Sequence, residues 1–223
     1  YPPAALGEVA IQFADGSSQV VPIDTKWVFA TEPEEGWDRP GFAATGWSSA
    51  KKLSGRHDVD KAQLVAQCNE PIRVLRELSP VKMTEPKPGV YVFDMGQNFS
   101  GWARLRVRGP RGTDVRLRFA ELLFDNGTLN QDNLRTAQAE DHYILKGEGE
   151  ETWSPRFTYY GFRYAQVEGA VPEGTDEPDG APRVVALTML HTRNAAPSAG
   201  SFSCSKKLFN RTFALIDWAI RSN

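Results

Sequence analysis

Trp102–Gly109 reads WARLRVRG and Val115–Glu121 reads VRLRFAE. Ala103, Leu105 and Val107 alternate with Arg104, Arg106 and Arg108, and Val115, Leu117 and Phe119 alternate with Arg116 and Arg118. Successive strand side chains point to opposite faces of a sheet, so this period of two describes strands with one buried and one wet face. The segment between them, Gly109–Asp114 (GPRGTD), is rich in turn formers and predicts an antiparallel hairpin.

Neighbouring runs extend the pattern. Val90–Gly96 (VYVFDMG), Glu140–Lys146 (EDHYILK), Phe162–Glu168 (FRYAQVE) and Arg183–Thr192 (RVVALTMLHT) read as strands, because β-branched and aromatic residues recur between Gly, Pro, Asn and Asp boundaries. Gly200–Cys204 (GSFSC) is read as a further short strand, and the acidic Ala170–Pro182 (AVPEGTDEPDGAP) as a solvated loop. The tail changes period. Leu208, Phe209, Thr212, Phe213, Ile216, Ala219 and Ile220 recur at three- and four-residue steps, which predicts an amphipathic helix capped by Ser203 or Ser205.

Upstream, Glu8–Phe13 (EVAIQF), the turn Ala14–Ser18 and the return Gln19–Trp27 read as a hairpin, and two strands cannot bury a core alone. Residues 1–79 are therefore read as part of a β unit with a long loop. Three prolines in Ser79–Gly89 deny helix and predict a linker at 80–89. An all-β antiparallel sandwich at 90–202 and a linker helix at 203–223 complete the expected organisation.

The run FDMGQNFSGW (Phe93–Trp102), then RFAELLFDNGTL (Arg118–Leu129), NLRTA (Asn133–Ala137) and WSPRFTYYGFRYAQVEG (Trp153–Gly169) resemble the concanavalin-like, jelly-roll β-sandwich of bacterial α-L-rhamnosidases. The resemblance covers roughly Lys82–Asn223. It implies a parent that is an inverting glycoside hydrolase removing terminal L-rhamnose from glycans. It also implies that the catalytic acid and base belong to an (α/α)₆ barrel that follows the sandwich. The chain stops at Ile220-Arg221-Ser222-Asn223, where that barrel would begin, so the expectation is a piece with no catalytic residue of its own. Its expected partner is the barrel of the same parent, with a rhamnose-containing glycan in reach. A dimer through the exposed face of the tail helix is a second option.

Composition excludes more than it assigns. A chain of 223 residues with 40% hydrophobic content, 24% charged residues and a net charge of −2 gives no global case for nucleic acid or an anionic membrane. No apolar run is long enough to span a bilayer, and Tyr1-Pro2-Pro3-Ala4 lacks a charged segment followed by an apolar core. The compartment stays open, a periplasmic or secreted parent being compatible. Cys68 and Cys204 show no metal-ligand spacing and are read as buried free thiols, with a single long-range disulfide as the alternative. Neither GxSxG, HExxH nor a phosphate-cradling glycine loop occurs, so no cofactor or metal is expected, and His57, His142 and His191 lack a nucleophile context.

Three constellations remain. Asp94 and Glu121 fall on apolar strand faces, where paired carboxylates could act as general acid and base. The favoured reading makes them structural, accepting hydrogen bonds at strand ends from loop amides or from Arg135 or Arg163. The arginines of WARLRVRG and VRLRFAE could grip a polyanion, but acids on neighbouring strands are the more economical partners. Trp37, Trp47 and Trp102 are candidate sugar-stacking residues of a carbohydrate-binding module, against the reading that the loop aromatics Trp37, Phe42 and Trp47 simply anchor their loop. The oxygen-rich loop Asp125–Asp132 departs from the EF-hand pattern and reads as turns.

Overall fold

The computed structural model describes residues 4–32, 34–53, 63, 65–176 and 180–222. They divide into two compact units, Tyr1–Gln67 and Cys68–Asn223. In the first, β1 (Glu8–Gln12) and β2 (Ser18–Pro22) form an antiparallel hairpin, and β3 (Val28–Phe29) pairs with β4 (Ser48–Ser49). The hairpin turn is set by Asp15, whose carboxylate accepts from the Ser17 amide at 2.9 Å and hydroxyl at 2.6 Å. Val9, Ile11, Phe13 and Val20 stay exposed, as expected where two strands are too few to close a core.

The second unit holds β5 (Ile72–Leu78), β6 (Lys82–Lys87), β7 (Val90–Arg108), β8 (Asp114–Ala120), β9 (Leu122–Leu123), β10 (Leu129–Asn130), β11 (Glu140–Ile144), β12 (Glu150–Trp153), β13 (Tyr160–Glu168), β14 (Val171–Pro172) and β15 (Arg183–Asn194). The helix α1 (Lys207–Arg221) ends it. Among the described residues nine of these strands form one curled, almost wholly antiparallel sheet, and β9 and β10 make a separate small ladder.

The 19-residue β7 is its axis. The first half of β7 is flanked by β6 and β13, and its second half by β15 and β12. Outside β13 lie β8 and then β11, and outside β15 lies β5. One strand thus serves both layers. Its odd-numbered residues Tyr91, Phe93, Met95, Phe99, Ala103, Leu105 and Val107 all face the common core, where they meet Val115, Leu117, Phe119, Phe162, Val167 and Met189.

Several expectations are corrected. The runs WARLRVRG and VRLRFAE do not form a hairpin: β8 pairs with β11 and β13, while this half of β7 pairs with β12 and β15. Alternation gives each strand an inward apolar face, and that pattern is identical whether two strands are neighbours in a sheet or line opposite walls of a core. The segment 80–89 is no free linker, since Lys82–Lys87 is a strand on β7. Pro86 is tolerated because it falls in the register shift between Thr84 and Lys87 on an edge strand, where no ladder donor is required. Ile72–Leu78, placed by sequence in the first unit, pairs along β15 and lies in the second.

In the acidic loop, Val171–Pro172 pairs in parallel with β15, and Ala170 and Pro172 are buried. Residues 177–179 of that loop lie outside the described residues, as do Tyr1-Pro2-Pro3, Asn223 and His57. Residues 200–204 carry no strand. No side chain caps α1 from Lys206; instead Asn210 grips the backbone of Cys204, accepting from its N–H and donating to its carbonyl, both at 2.8 Å. Cys68 and Cys204 are free thiols, but exposed rather than buried, because both sit in irregular segments outside the sheet core.

Candidate functional site

The alternation of β7 breaks at Met95–Asn98, four residues set against Arg163 alone between the pairs Asp94↔Tyr164 and Phe99↔Phe162. Gly96 makes the bulge, with φ of 73°. Arg163 enters the gap and donates from Nε and Nη2 to the two Asp94 oxygens, each at 2.8 Å, while the Gly96 N–H adds a bond of 2.7 Å. The guanidinium therefore holds the Asp94 carboxyl below its ordinary value of 3.8.

A depressed aspartate stabilises the fold above its unfolded pKa and loses that contribution as pH falls through the folded one. Arg163→Ala is thus expected to lower stability by about 1–2 kcal/mol at neutral pH, the exposed side of the pair limiting the effect. The gap from the unsubstituted protein should be full above pH 3.8 and narrow as pH falls below it, through the folded pKa, in pH-dependent denaturation curves. A gap that does not narrow at all as pH falls below 3.8 would assign the loss to packing on Tyr164, whose ring lies 5.0 Å from the guanidinium.

Glu121 follows the end of β8. Asn98, from the bulge, donates to its Oε1 at 2.7 Å, and Asn133, from the short 3₁₀ helix Asp132–Leu134, donates to its Oε2 at 2.9 Å. That helix is delivered by two Asx turns, at Asn126 and Asn130, so the oxygen-rich loop does make turns. No group of three or more metal-ligating side chains occurs among the described residues. Between the bulge, Glu121 and the C-terminal half of α1 lies a cleft of about 270 Å³, with Gln97, Asn98, Gly161, Leu215 and Trp218 in its walls.

The candidate tryptophans are divided between the two units, Trp37 and Trp47 in the first and Trp102 in the second. Trp37 is 56% exposed. Trp47 is half-buried, tilted at 55° to Phe42 with ring centroids 5.6 Å apart, and its Nε1–H donates to Glu34 at 2.6 Å. Trp102 belongs to the other unit, half-buried on the outer side of β7. The arginines are each engaged: Arg104 with Glu77, Arg106 with Glu150, Arg108 with Glu173, Arg116 with Glu140, and Arg118 with Gln131. They leave no open row for a polyanion.

Two histidines sit in opposite electrostatic settings. His142 lies between Glu140 at 2.8 Å and Asp114 at 2.9 Å, and these carboxylates raise its pKa above 6.5. His191 is buried, its Nδ1–H donating to the Ser100 carbonyl at 3.1 Å and its ring 5.2 Å from that of Trp218. Burial, with Arg193, Arg221 and Arg76 nearby, pushes its pKa below 6.5. His142 therefore contributes stability that is complete below pH 6.5 and fades as pH rises through its folded pKa; His191 destabilises as pH falls below 6.5. NMR titration should find His142 above 6.5 and His191 below it, and coincident midpoints would refute at least one of the two assignments.

Sequence reasoning named Asp94, Glu121 and Arg163, set His191 aside for want of a nucleophile context, and did not connect Asn98, Asn133 or Trp218 with them. The glycine that interrupts the apolar alternation in FDMGQNF was the available signal for the bulge.

The family model described as the bacterial alpha-L-rhamnosidase concanavalin-like domain matches residues 84–189. Residues 84–189 are similar to this domain. Across 99% of its length it is 38% identical to the α-L-rhamnosidase of Streptomyces avermitilis, of which it spans 22%. The crystal structure of that enzyme in complex with L-rhamnose superposes with a TM-score of 0.77 over 98% of this chain, at 37% identity and 22% of the other chain. The α-L-rhamnosidase of Dictyoglumus thermophilum superposes with a TM-score of 0.79 at 33% identity, covering 97% of this chain and 25% of that one. The chain thus spans about a quarter of the length of the α-L-rhamnosidases it matches. Within the concanavalin-like domain the family match takes in the bulge, Glu121, Asn133 and Arg163, whereas α1 lies beyond it.

Proposed function

We propose that this chain is a non-catalytic β-sandwich region of an α-L-rhamnosidase-like glycoside hydrolase, and that it supports a catalytic barrel that removes terminal L-rhamnose from glycans. The observation that carries this reading is the commitment of both candidate carboxylates to structural bonds, Asp94 to Arg163 and Glu121 to two asparagine amides. An acid and a base in hydrolysis must be free to exchange protons with substrate and water. The similarity to a quarter of each relative's length agrees with chemistry located in the remaining three quarters.

The exposed apolar stripe of α1, which includes Leu208, Phe209, Leu215, Ile216 and Ile220, suits a surface against which such a barrel rests. A carbohydrate-binding module is the second reading, favoured by the exposure of Trp37. The test is incubation of the chain with p-nitrophenyl α-L-rhamnoside. No nitrophenol release above buffer is expected. Release that is lost in Glu121→Gln would overturn the non-catalytic assignment.

A further inference from the structure

We propose that the cleft between the β7 bulge and the C-terminal half of α1 is a binding site for one neutral pyranose ring. The proposal rests on the glycan-processing reading above and adds to it a site where the concanavalin-like domain meets the helix that follows it. One wall of the cleft is polar, with Gln97, Asn98 and Glu121; the other is apolar, with Leu215, Trp218 and Ala219. A pyranose has the matching two-sided chemistry, hydroxyl donors around its rim and a C–H face that sheds water against apolar carbon.

The polar wall is fixed before any ligand arrives. Each Glu121 oxygen already accepts one amide N–H, from Asn98 and from Asn133. A carboxylate offers about four lone-pair sites, so acceptor capacity remains for hydroxyls while the side chain cannot swing. Ser222 also lines the cleft, and its hydroxyl is buried beside it with no hydrogen-bond partner, a group whose desolvation calls for one.

Size and shape point the same way. The volume of about 270 Å³ falls just under the ~300–1,000 Å³ of pockets for drug-sized ligands, which suits one ring rather than a chain. Gly161 forms part of the floor without a positive φ, and a Cβ built on it meets nothing within 4 Å. A side chain there would occupy the ligand's space without straining the backbone. The polar wall carries one carboxylate and no cation, which favours a neutral sugar over a uronate.

The test is titration of the chain with L-rhamnose, D-galactose and D-glucuronate, followed by amide and indole NMR shifts. The expected result is saturable, millimolar binding of a neutral sugar, with shifts at the Asn98 amide, Gly161 and the Trp218 indole, and none with glucuronate. Gly161→Leu should weaken binding at least tenfold at unchanged thermal stability, and Glu121→Gln about tenfold, with one of the two asparagine bonds lost. Absence of saturable shifts with either neutral sugar overturns the site, as does undiminished binding in Gly161→Leu or a shift pattern centred on Trp37 and Trp47. Nitrophenol release from the rhamnoside, read in parallel samples, reports on the non-catalytic assignment separately, so the two ideas fail independently.

Discussion

Gly101→Ala is expected to abolish cooperative folding of the second unit or to weaken it by at least about 3 kcal/mol, the range reached when a packed interior is forced to take extra atoms. Gly101 lies where β7 passes between its two flanks, opposite Tyr160 on β13 and His191 on β15. A Cβ at this position would lie 2.0 Å from the Leu190 carbonyl oxygen and 2.9 Å from its carbon. Both contacts are with backbone, so no rotamer change relieves them. The strand cannot retreat, because a partner is bonded on each side. Gly200→Ala is the control, since its Cβ would meet nothing within 4 Å and its backbone is not left-handed. Chemical denaturation should show a large loss for Gly101→Ala and a change within about 0.5 kcal/mol for Gly200→Ala. Equal losses would mean that glycine flexibility, not close approach, matters at Gly101.

Phe162→Ala should cost about 3–5 kcal/mol, the usual toll of truncating a buried aromatic. Phe162 is wholly buried, with ring centroids 4.8 Å from both Phe99 and Phe119. Phe99 belongs to β7 and Phe119 to β8, so one ring couples three strands of the core. Removing it opens a cavity whose rigid aromatic walls collapse poorly. Truncation of the exposed Leu122 should change stability by less than about 0.5 kcal/mol. Denaturant midpoints of the two variants decide the matter; a loss below about 1 kcal/mol for Phe162→Ala would mean that the three rings do not form a common core.

Much of this architecture was legible in local pattern. The alternation of Ala103, Leu105 and Val107 with arginines correctly assigned their burial, and the same holds for Val115, Leu117 and Phe119. The period of three to four residues near the C-terminus placed a helix at 203–223, and α1 spans Lys207–Arg221 within those bounds. The longer strands that were missed, Ile72–Leu78, Lys82–Lys87 and Glu150–Trp153, all lie along the flanks of other strands. Edge strands are charged, half-wet and proline-tolerant, so their composition resembles that of loops. Pairing with β7 or β15 makes them strands. The candidate site was legible only in pieces, since Asp94, Glu121 and Arg163 each stand out as charges beside apolar runs.

By itself, then, the sequence determined which residues of each main strand turn inward, that the body is β, and that its tail is an amphipathic helix, because these depend on period and on neighbours a few residues away. The tertiary structure alone decided that β8 and the second half of β7 have different neighbours, that β7 is one strand running through both sets, and that Asn98, Glu121, Asn133, Gly161 and Trp218 converge on one edge. Strand partners and the cleft are set by contacts between residues tens of positions apart. A two-residue period states which way a side chain faces, but not what it faces.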